Sequence, residues 1–405
     1  MRTYEFARRF VAKGHSVDVV CCGGYDEWLR AEAEKSDFVE VEGIRVFVSK
    51  IKYGNSMSFL QRVCSFLKFM VYTNWFVLKN GSKYDLCIAS SGPLTLAVSV
   101  LIGRLFHKLP YVFEVIDVWP DSAIDAGVLK SRFLQRVSFL VEKMAYRYSK
   151  AIVTCSTGMT NRVINKIKGK PDITPEHSEV VDNFSVHSIE HRSKTYKLQT
   201  ISNSCDLEQL KPDANIRRKV RQQYGVSRDK LIVLYSGAMG ISNQIDDVVE
   251  AVKATKGNEK IVWWFAGDGV RSKDLRALEE PLKVRFFGRL SKLEVVRLYQ
   301  SADLNLVSFM HSPLFYENSP NKFFDGIAAG LPAVFNRSTW LEPWLKEYNC
   351  GVACDCDNPG LAMAKELAKL CEDRGRLNKM SVGARHLAED VFSRDLLAEK
   401  YEALL

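Results

Sequence analysis

"LIVLYSGAMGISNQIDDVVEAVKATKGNEKIVWWFAGDGV", residues 231–270, contains one pattern twice. A short apolar run ends at a glycine-bearing turn, a helical pattern follows, and a second apolar run ends at a second glycine turn. Strands that alternate with helices of this length are typical of parallel, doubly wound sheets. The stretch therefore predicts an α/β fold.

Similar apolar runs recur on both sides of this stretch, and the first of them follows a helical pattern at residues 3–13. They lie at residues 15–22, 84–90, 111–117, 151–156, 284–288, 304–309 and 332–336. These runs are enough for two sheets, and 405 residues with 46% hydrophobic content can fill more than one core. We predict two Rossmann-like domains, residues 1–208 and 209–391, with the break in the polar stretch 205–230.

Residues 175–198 (PEHSEVVDNFSVHSIEHRSKTYKL) interrupt the first domain with polar side chains. They predict a loop-like insertion at about residues 175–200. His187, Glu190 and His191 make a metal site conceivable, but a third convincing ligand is missing. A solvated surface loop is the preferred interpretation.

The net charge of +9 is concentrated in the first half, because residues 1–205 hold 28 Lys+Arg against 20 Asp+Glu. A basic half suggests an anionic partner such as membrane lipid or a phosphate-bearing substrate. Zinc-finger spacing, RNP-type motifs and Arg-rich tails are not found, so we expect no nucleic-acid partner. The ten cysteines form no regular framework and we recognise no signal peptide, which favours a reducing cytosol.

Residues 57–79 (MSFLQRVCSFLKFMVYTNWFVLK) are strongly apolar and aromatic, but Arg62 and Lys68 interrupt them. A membrane-spanning helix does not readily centre such charges. Two interpretations stay open: an amphipathic helix lying on a bilayer, or a buried core helix.

Residues 315–332 (FYENSPNKFFDGIAAGLP) predict an anion site. Ser319 suits the N-cap and Pro320 the first helical position, so we expect a helix from there to about Ala329. The amides at its amino end and the ammonium of Lys322 attract a negative charge.

Two carboxylates accompany this anion site. Asp325 lies three residues beyond Lys322 on the same helical face, and Glu317 precedes the helix. Both can accept hydrogen bonds from sugar hydroxyls, although chance surface acids would give the same spacing. Two glycine turns that follow strands then predict a close approach to a nucleotide, or simply turn the chain. Their glycines are Gly237, Gly240, Gly267 and Gly269.

These segments resemble family 4 of the retaining glycosyltransferases, and among them the enzymes that build bacterial O-antigen and capsule repeat units. Glu317-x7-Asp325 is similar to the family's E-x7-E, and residues 330–332 (GLP) to its G-x-P. Residues 112–123 (VFEVIDVWPDSA) and 201–212 (ISNSCDLEQLKP) resemble two further motifs of the family. The resemblance implies the GT-B fold, two Rossmann-like domains facing across a cleft, with a closing helix at 392–405 that packs back on the first domain.

The resemblance also implies an activity. A sugar, an N-acetylhexosamine, would pass from a UDP-sugar to a polyprenyl-diphosphate-linked saccharide with its anomeric configuration kept. Asp325 would bind the ribose, Glu317 the transferred sugar, and Lys322 with amides near Ser319 to Asn321 the diphosphate. Asp117 would face the reacting centre or the acceptor. We expect no metal ion or cofactor, and a cytoplasmic enzyme held peripherally at the inner face of the cell membrane.

The sequence also departs from the family. Ala238 and Asn243 stand where an Arg and a Lys are common, and Ile116 replaces a His. The chain opens on the helix that normally follows a first strand, so we expect two unpaired strand edges, and either a start further upstream or a damaged or partner-completed protein. Two other hypotheses stay open: a non-catalytic assembly or regulatory subunit, and a sugar epimerase of the same fold.

Overall fold

The computed structural model describes residues 2–22, 27–53, 57, 59–125, 127, 129–170, 185–280 and 283–405. The chain divides into two compact units. Unit 1 comprises Met1–Ser202 and Ala398–Leu405, and unit 2 comprises Asn203–Leu397. Both units are α/β, as the sequence predicts, while the domain boundaries 208/209 and 391/392 stay predictions.

Unit 1 contains two sheets and the helices that cover them. Its strands are β1 (Asp18–Cys22), β2 (Val39–Val41), β3 (Ile44–Ser49), β4 (Cys87–Ser90), β5 (Tyr111–Val115), β6 (Ala151–Thr154), β7 (Val186–His191) and β8 (Lys194–Thr200). Its helices are α1 (Arg2–Ala12), α2 (Glu27–Ala33), α3 (Phe59–Asn80), α4 (Leu96–His107), α5 (Asp121–Asp125), α6 (Arg132–Tyr148) and α7 (Thr157–Lys168). The end of the last helix of the chain also belongs to this unit.

The two sheets of unit 1 have the strand orders β1-β3-β2 and β4-β5-β6-β8-β7. Within the described residues, β1 and β4 are therefore edge strands, as the sequence predicts. The Tyr84 hydroxyl, just before β4, donates a 2.7 Å hydrogen bond to Asp18 at the start of β1. A partly buried polar contact thus joins the two edges. Burial of the Tyr84 ring raises the pKa of its hydroxyl, so that the hydroxyl stays a donor at neutral pH.

The predicted loop at residues 175–200 is wrong for its second half. β7 and β8 pair antiparallel and form a hairpin, with positive φ at Arg192 and Ser193 in the turn. Tyr196 and Leu198 alternate with exposed residues along β8 and are buried, so burial on one face holds the hairpin. Residues 171–184 lie outside the described residues. Within the described part of the chain, no three His, Cys, Asp or Glu side chains gather as metal ligands.

Unit 2 is built on one six-stranded parallel sheet with the order β11-β10-β9-β12-β13-β14. The strands are β9 (Leu231–Ser236), β10 (Ile261–Ala266), β11 (Val284–Gly288), β12 (Leu304–Val307), β13 (Ala333–Phe335) and β14 (Gly351–Ala353). The helices are α8 (Ala214–Gln223), α9 (Ile245–Ala254), α10 (Ser272–Arg276), α11 (Lys292–Tyr299), α12 (Pro313–Tyr316), α13 (Asn321–Ala328), α14 (Glu342–Glu347), α15 (Pro359–Glu372), α16 (Arg374–Asp390) and α17 (Arg394–Glu402), which continues into unit 1.

The strand order of unit 2 reverses between β9 and β12. From β9 the chain proceeds outward to β10 and β11 on one side, and it then returns to β12 on the other side. Open α/β sheets bind ligands at the carboxyl ends of the strands where the order reverses. The residues after β9 and β12 are therefore the first place to look for a site.

Helix α3 is a surface helix, so the interpretation as a buried core helix is wrong. Phe76 is buried against Phe47 of β3, but an apolar stripe on the other side of the helix faces solvent. The stripe consists of Leu60, Leu67, Val71, Trp75 and Leu78. In the described part of the chain, no helix has the length and hydropathy needed to cross a membrane.

Candidate functional site

The two predicted glycine turns lie side by side in unit 2. Gly237 follows β9 and Gly267 follows β10, and both have positive φ, 110° and 134°. The amide of Gly237 donates to the carbonyl of Ala266 over 2.8 Å, and a Cβ on Gly267 would lie 1.9 Å from the carbonyl oxygen of Gly237. Because only glycine fits here, the two backbones can meet just beyond the ends of the strands.

The second glycine of each turn has a packing role of its own. A Cβ on Gly269 would lie 2.4 Å from the carbonyl oxygen of Met239, so this glycine also serves the contact between the turns. The amide of Gly240 donates a hydrogen bond to Oδ1 of Asn243 over 3.3 Å. Gly240 is also the N-cap of a short 3₁₀ turn, Ile241–Asn243. Gly269 and Gly240 therefore shape the turns, whether or not a ligand approaches them.

The helix predicted to begin at Pro320, with Ser319 as its N-cap, starts one residue later, at Asn321. Pro320 occupies the N-cap of α13 with an extended ψ of 123°, and within the described residues no side chain caps the helix. Ser319 is not the N-cap, because both of its oxygens accept hydrogen bonds from Asn203. The Asn203 amide donates to the Ser319 hydroxyl over 3.2 Å, and Asn203 Nδ2 donates to the Ser319 carbonyl over 2.6 Å. The amide of Phe323 donates to the Pro320 carbonyl over 3.0 Å, so the amides that suit an anion are those at the very start of α13, at the exposed Asn321 and at Lys322.

Lys322 points from this first turn toward the glycine turn after β9. Its ammonium nitrogen lies 4.0 Å from the ring centroid of Tyr235, and a Cβ on Gly237 would lie 3.9 Å from it. Although the residue as a whole is half-buried, the nitrogen is shielded from solvent, and among the described residues it has no hydrogen-bond acceptor. This burial lowers the pKa of Lys322 to about 7.

The buried cation is a costly arrangement, because an ammonium out of water is normally paired. The ring face of Tyr235 supplies a partial substitute through cation–π attraction. An anion with several oxygens, placed beside the nitrogen and the helix amides, would supply the missing acceptors. The geometry therefore suits a phosphate or diphosphate group at the point where the strand order reverses.

Two residues that the sequence did not single out hold this lysine in place. Asn305 Nδ2 in β12 donates to the carbonyl of Lys322 over 2.8 Å, and the Tyr299 hydroxyl lies 3.3 Å from the same carbonyl. A Cβ on Gly326 would lie 2.3 Å from Asn305 Nδ2, so α13 packs closely on the strand. An asparagine in the middle of an apolar run is the signal that could have identified Asn305.

The two predicted carboxylates both lie near the start of α13. Glu317 is 5% exposed, and it precedes the helix directly after α12. Asp325 is half-buried one turn beyond Lys322, where burial and the charge of Asp325 together raise the pKa of Tyr299. The segment thus carries a cation and two acids within nine residues, and unit 2 contains every predicted site residue except Asp117.

Asp117 belongs to unit 1 and follows β5. Its backbone carbonyl accepts hydrogen bonds from Ser91 Oγ and from the Trp119 amide, both over 2.9 Å. A Cβ on Gly92 would lie 3.6 Å from a carboxylate oxygen of Asp117, so the acid stands beside the turn after β4. The side chain is exposed, yet desolvation by its neighbours raises the pKa of the carboxyl group. Such an acid can accept or hold a proton.

Comparison with known families matches both halves of the chain. Residues 1–174 match the Glycosyl transferase 4-like domain, and residues 216–387 match Glycosyl transferases group 1. No curated protein matches the sequence.

Solved structures of glycosyltransferases share the fold. HepE of Anabaena, in complex with UDP-glucose, is 14% identical with a TM-score of 0.67, and the match covers 100% of this chain and 94% of that one. WaaG, a glycosyltransferase involved in lipopolysaccharide biosynthesis, is 16% identical with a TM-score of 0.62 over 99% and 94% of the two chains. Sucrose-phosphate synthase of Thermosynechococcus elongatus is 14% identical with a TM-score of 0.66 over 99% and 91%. With its two family matches and this fold, the chain belongs to the glycosyltransferases of the GT-B fold.

Proposed function

We propose that the enzyme transfers a sugar, an N-acetylhexosamine, from a UDP-sugar to a polyprenyl-diphosphate-linked saccharide, with the anomeric configuration kept. The observation that carries the donor assignment is the buried ammonium of Lys322 at the start of α13, for which the described part of the chain supplies no hydrogen-bond acceptor. HepE, which shares the fold, has been crystallised with UDP and with UDP-glucose. A diphosphate that links a nucleoside to a sugar satisfies this cation.

In this proposal the charges of α13 assist departure of the nucleotide. As the bond from the sugar to the diphosphate breaks, negative charge grows on the phosphate oxygens. Lys322 and the amides near Asn321 neutralise that charge, and each preorganised donor of this kind contributes about 3–4 kcal/mol to catalysis. No metal ion or other cofactor is required for this step. Asp325 accepts hydrogen bonds from the ribose hydroxyls, and Glu317 contacts the transferred sugar. Asp117 faces the acceptor.

We further propose that the reaction takes place at the cytoplasmic face of the cell membrane, in synthesis of O-antigen or capsule. The basic first half of the chain, with 28 Lys+Arg against 20 Asp+Glu in residues 1–205, supports an anionic surface as its partner. A lipid-linked acceptor requires such a location, because its polyprenyl chain stays in the bilayer.

A panel of UDP-sugars and GDP-sugars tests the donor class by thermal shift. The correct donor at about 100 times its Kd should stabilise the folded protein by about 2.7 kcal/mol. UDP-N-acetylhexosamines should raise the Tm most, and GDP-sugars should leave it unchanged. If no nucleotide sugar raises the Tm, the donor site is wrong. Release of UDP in the presence of a polyprenyl-diphosphate-linked saccharide then tests the transfer.

The role of Asp325 can be tested separately with Asp325→Asn. Loss of a charge-assisted hydrogen bond to the ribose should weaken UDP binding about tenfold to a hundredfold. The wild type should bind 2′,3′-dideoxy-UDP more weakly than UDP by the same factor. The variant should bind UDP and the dideoxy analogue with equal affinity. Calorimetry measures all four combinations, and Asp229→Asn, an exposed acid bonded to Ser227, is the matched control. If the substitution and the removal of the ribose hydroxyls weaken binding additively, Asp325 does not contact the ribose.

A further inference from the structure

Three neighbouring helices of unit 1 expose large apolar side chains. Helix α4 packs against both α3 and α6. The last turn of α4 lies beside the end of α3, where Nε2 of His107 is 3.0 Å from the carbonyl oxygen of Leu78. Leu105 and Phe106 in that turn are 74% and 65% exposed. The apolar stripe of α3 therefore continues onto α4.

Helix α6 adds a second and longer stripe. Phe133 at its start is 72% exposed, and the exposed apolar positions continue to the last turn of the helix. They are Phe133, Leu134, Val137, Phe139, Leu140, Met144 and Tyr148. The opposite side of α6, with Ala145 and Tyr146, is buried in the core of unit 1. The exposed stripe of α6 is thus an apolar surface additional to the one that holds the helix in place.

The charges among these side chains are of one sign. The only acid on the three helices is Glu142, which is 3% exposed and bonds inward to Tyr146 and Lys166. The basic residues of the three helices are Arg62, Lys68, Lys79, Arg104, Arg132, Arg136, Lys143 and Arg147. We call the exposed apolar and basic side chains of α3, α4 and α6 the apolar–basic face.

Such a face is not explained by ordinary surface composition. Single exposed apolar residues are common, but contiguous ones mark an interaction surface. A second copy of the chain would bring like charges together, which costs energy. A bilayer with anionic headgroups satisfies both properties, because leucine and phenylalanine side chains enter the acyl boundary and Lys and Arg remain at the headgroups. Trp75, with the ammonium of Lys79 5.1 Å from its ring centroid, suits that boundary.

We propose that the apolar–basic face docks on the surface of an anionic lipid bilayer, with α3, the end of α4 and α6 lying in the plane of the headgroups. This inference deepens the proposed function and rests on it, because the proposed lipid-linked acceptor is the reason for the enzyme to dock on a bilayer. It assigns the contact to three helices together, so that α6 is as necessary as α3.

Flotation with vesicles tests the docking. Full-length protein should bind vesicles with roughly a third anionic lipid, and bind vesicles of zwitterionic lipid at least about tenfold more weakly. Val71→Ser with Trp75→Ser on α3, and Phe133→Ser with Leu140→Ser on α6, should each reduce binding about tenfold or more. Leu293→Ser with Leu361→Ser, two exposed apolar residues of unit 2, is the matched control and should bind as the wild type does. Arg132→Gln with Arg136→Gln should reduce the dependence on anionic lipid.

Three results would overturn the proposal. The first is equal binding to both vesicle types, or no binding to either. The second is loss of binding on substitution of α3 alone, with α6 indifferent. The third is a dimer in light scattering that the α6 substitutions convert to a monomer, since a second copy would then cover the face. Donor binding, measured without vesicles on the same variants, should stay unchanged, so a failed donor site and a failed docking face are distinguished.

Discussion

Lys322→Met is expected to reduce turnover of the nucleotide-sugar donor by about 10²–10³-fold. Methionine keeps an unbranched side chain over the ring of Tyr235 but has no charge for the departing phosphates. The loss should appear in kcat as well as in KM, because the charge that the ammonium meets grows in the transition state. Steady-state release of UDP measures it. Unchanged turnover would mean that the donor diphosphate does not bind at Lys322.

The same substitution is expected to make the folded protein more stable at neutral pH. Burial lowers the pKa of Lys322 from 10.5 to about 7, so at and below pH 7 the folded state carries the full cost of a buried charge. The cost declines as pH rises from 7 toward 10.5, because the folded state then releases its proton first. Removing the ammonium should therefore stabilise the protein by about 3–5 kcal/mol near pH 7 and by little near pH 10. A variant that loses stability as well as turnover would make Lys322 a structural residue.

Donor affinity should depend on pH through this lysine. A bound diphosphate favours the ammonium and raises the pKa of Lys322 above its value of about 7 in the free protein. Below pH 7 the affinity should be flat, and above it Kd should rise toward tenfold per pH unit. UDP-glucose is a suitable probe for calorimetry, because its phosphate diesters do not titrate in this range. Lys322→Arg, whose guanidinium stays protonated, should show no such rise.

The parallel sheets could be predicted because each central strand is a continuous apolar run. All six residues of β9 and of β10 are buried, which only an uninterrupted run allows. The hairpins β2–β3 and β7–β8 were missed because one face of each meets solvent and their apolar residues alternate with polar ones. The turn at Glu42 and Gly43, with positive φ at both residues, was the available signal for the first hairpin.

The candidate site was only partly predictable, for a related reason. Lys322 and the helix start follow from local rules about caps and charge. The environment of the lysine comes from residues that are distant along the chain, such as Tyr235 and Asn305. Ser319 was misassigned because Asn203, 116 residues away, takes its hydroxyl, and this contact has no local pattern. Tertiary contacts that replace local hydrogen bonds are the class of information that one sequence lacks.

The orientation of α3 was undecidable for a different reason. An apolar, basic helix of 22 residues suits a core or a bilayer equally well as long as its neighbours are unknown. The structure excludes the core, because α4 packs on α3 while Leu67, Val71 and Trp75 of α3 face solvent. A property shared by three helices cannot be assigned from any one of them.

Gly267→Ala is expected to destabilise unit 2 by about 3 kcal/mol or more. The new Cβ would lie 1.9 Å from the carbonyl oxygen of Gly237 and 2.8 Å from its carbonyl carbon, and backbone atoms cannot rotate away as a side chain can. The φ of 134° adds strain for any residue with a Cβ. The two glycine turns must therefore separate, which also moves Gly237 away from Lys322. Urea unfolding should show a lower midpoint, and donor binding should be lost even where the variant is folded. Gly257→Ala is the matched control, because nothing lies within 4 Å of its Cβ position and its φ is not left-handed. That control should stay within about 1 kcal/mol of the wild type.

Equal urea midpoints for Gly267→Ala and Gly257→Ala would contradict the contact between the turns after β9 and β10. The anion site, which is built on those two turns, would then lose its support.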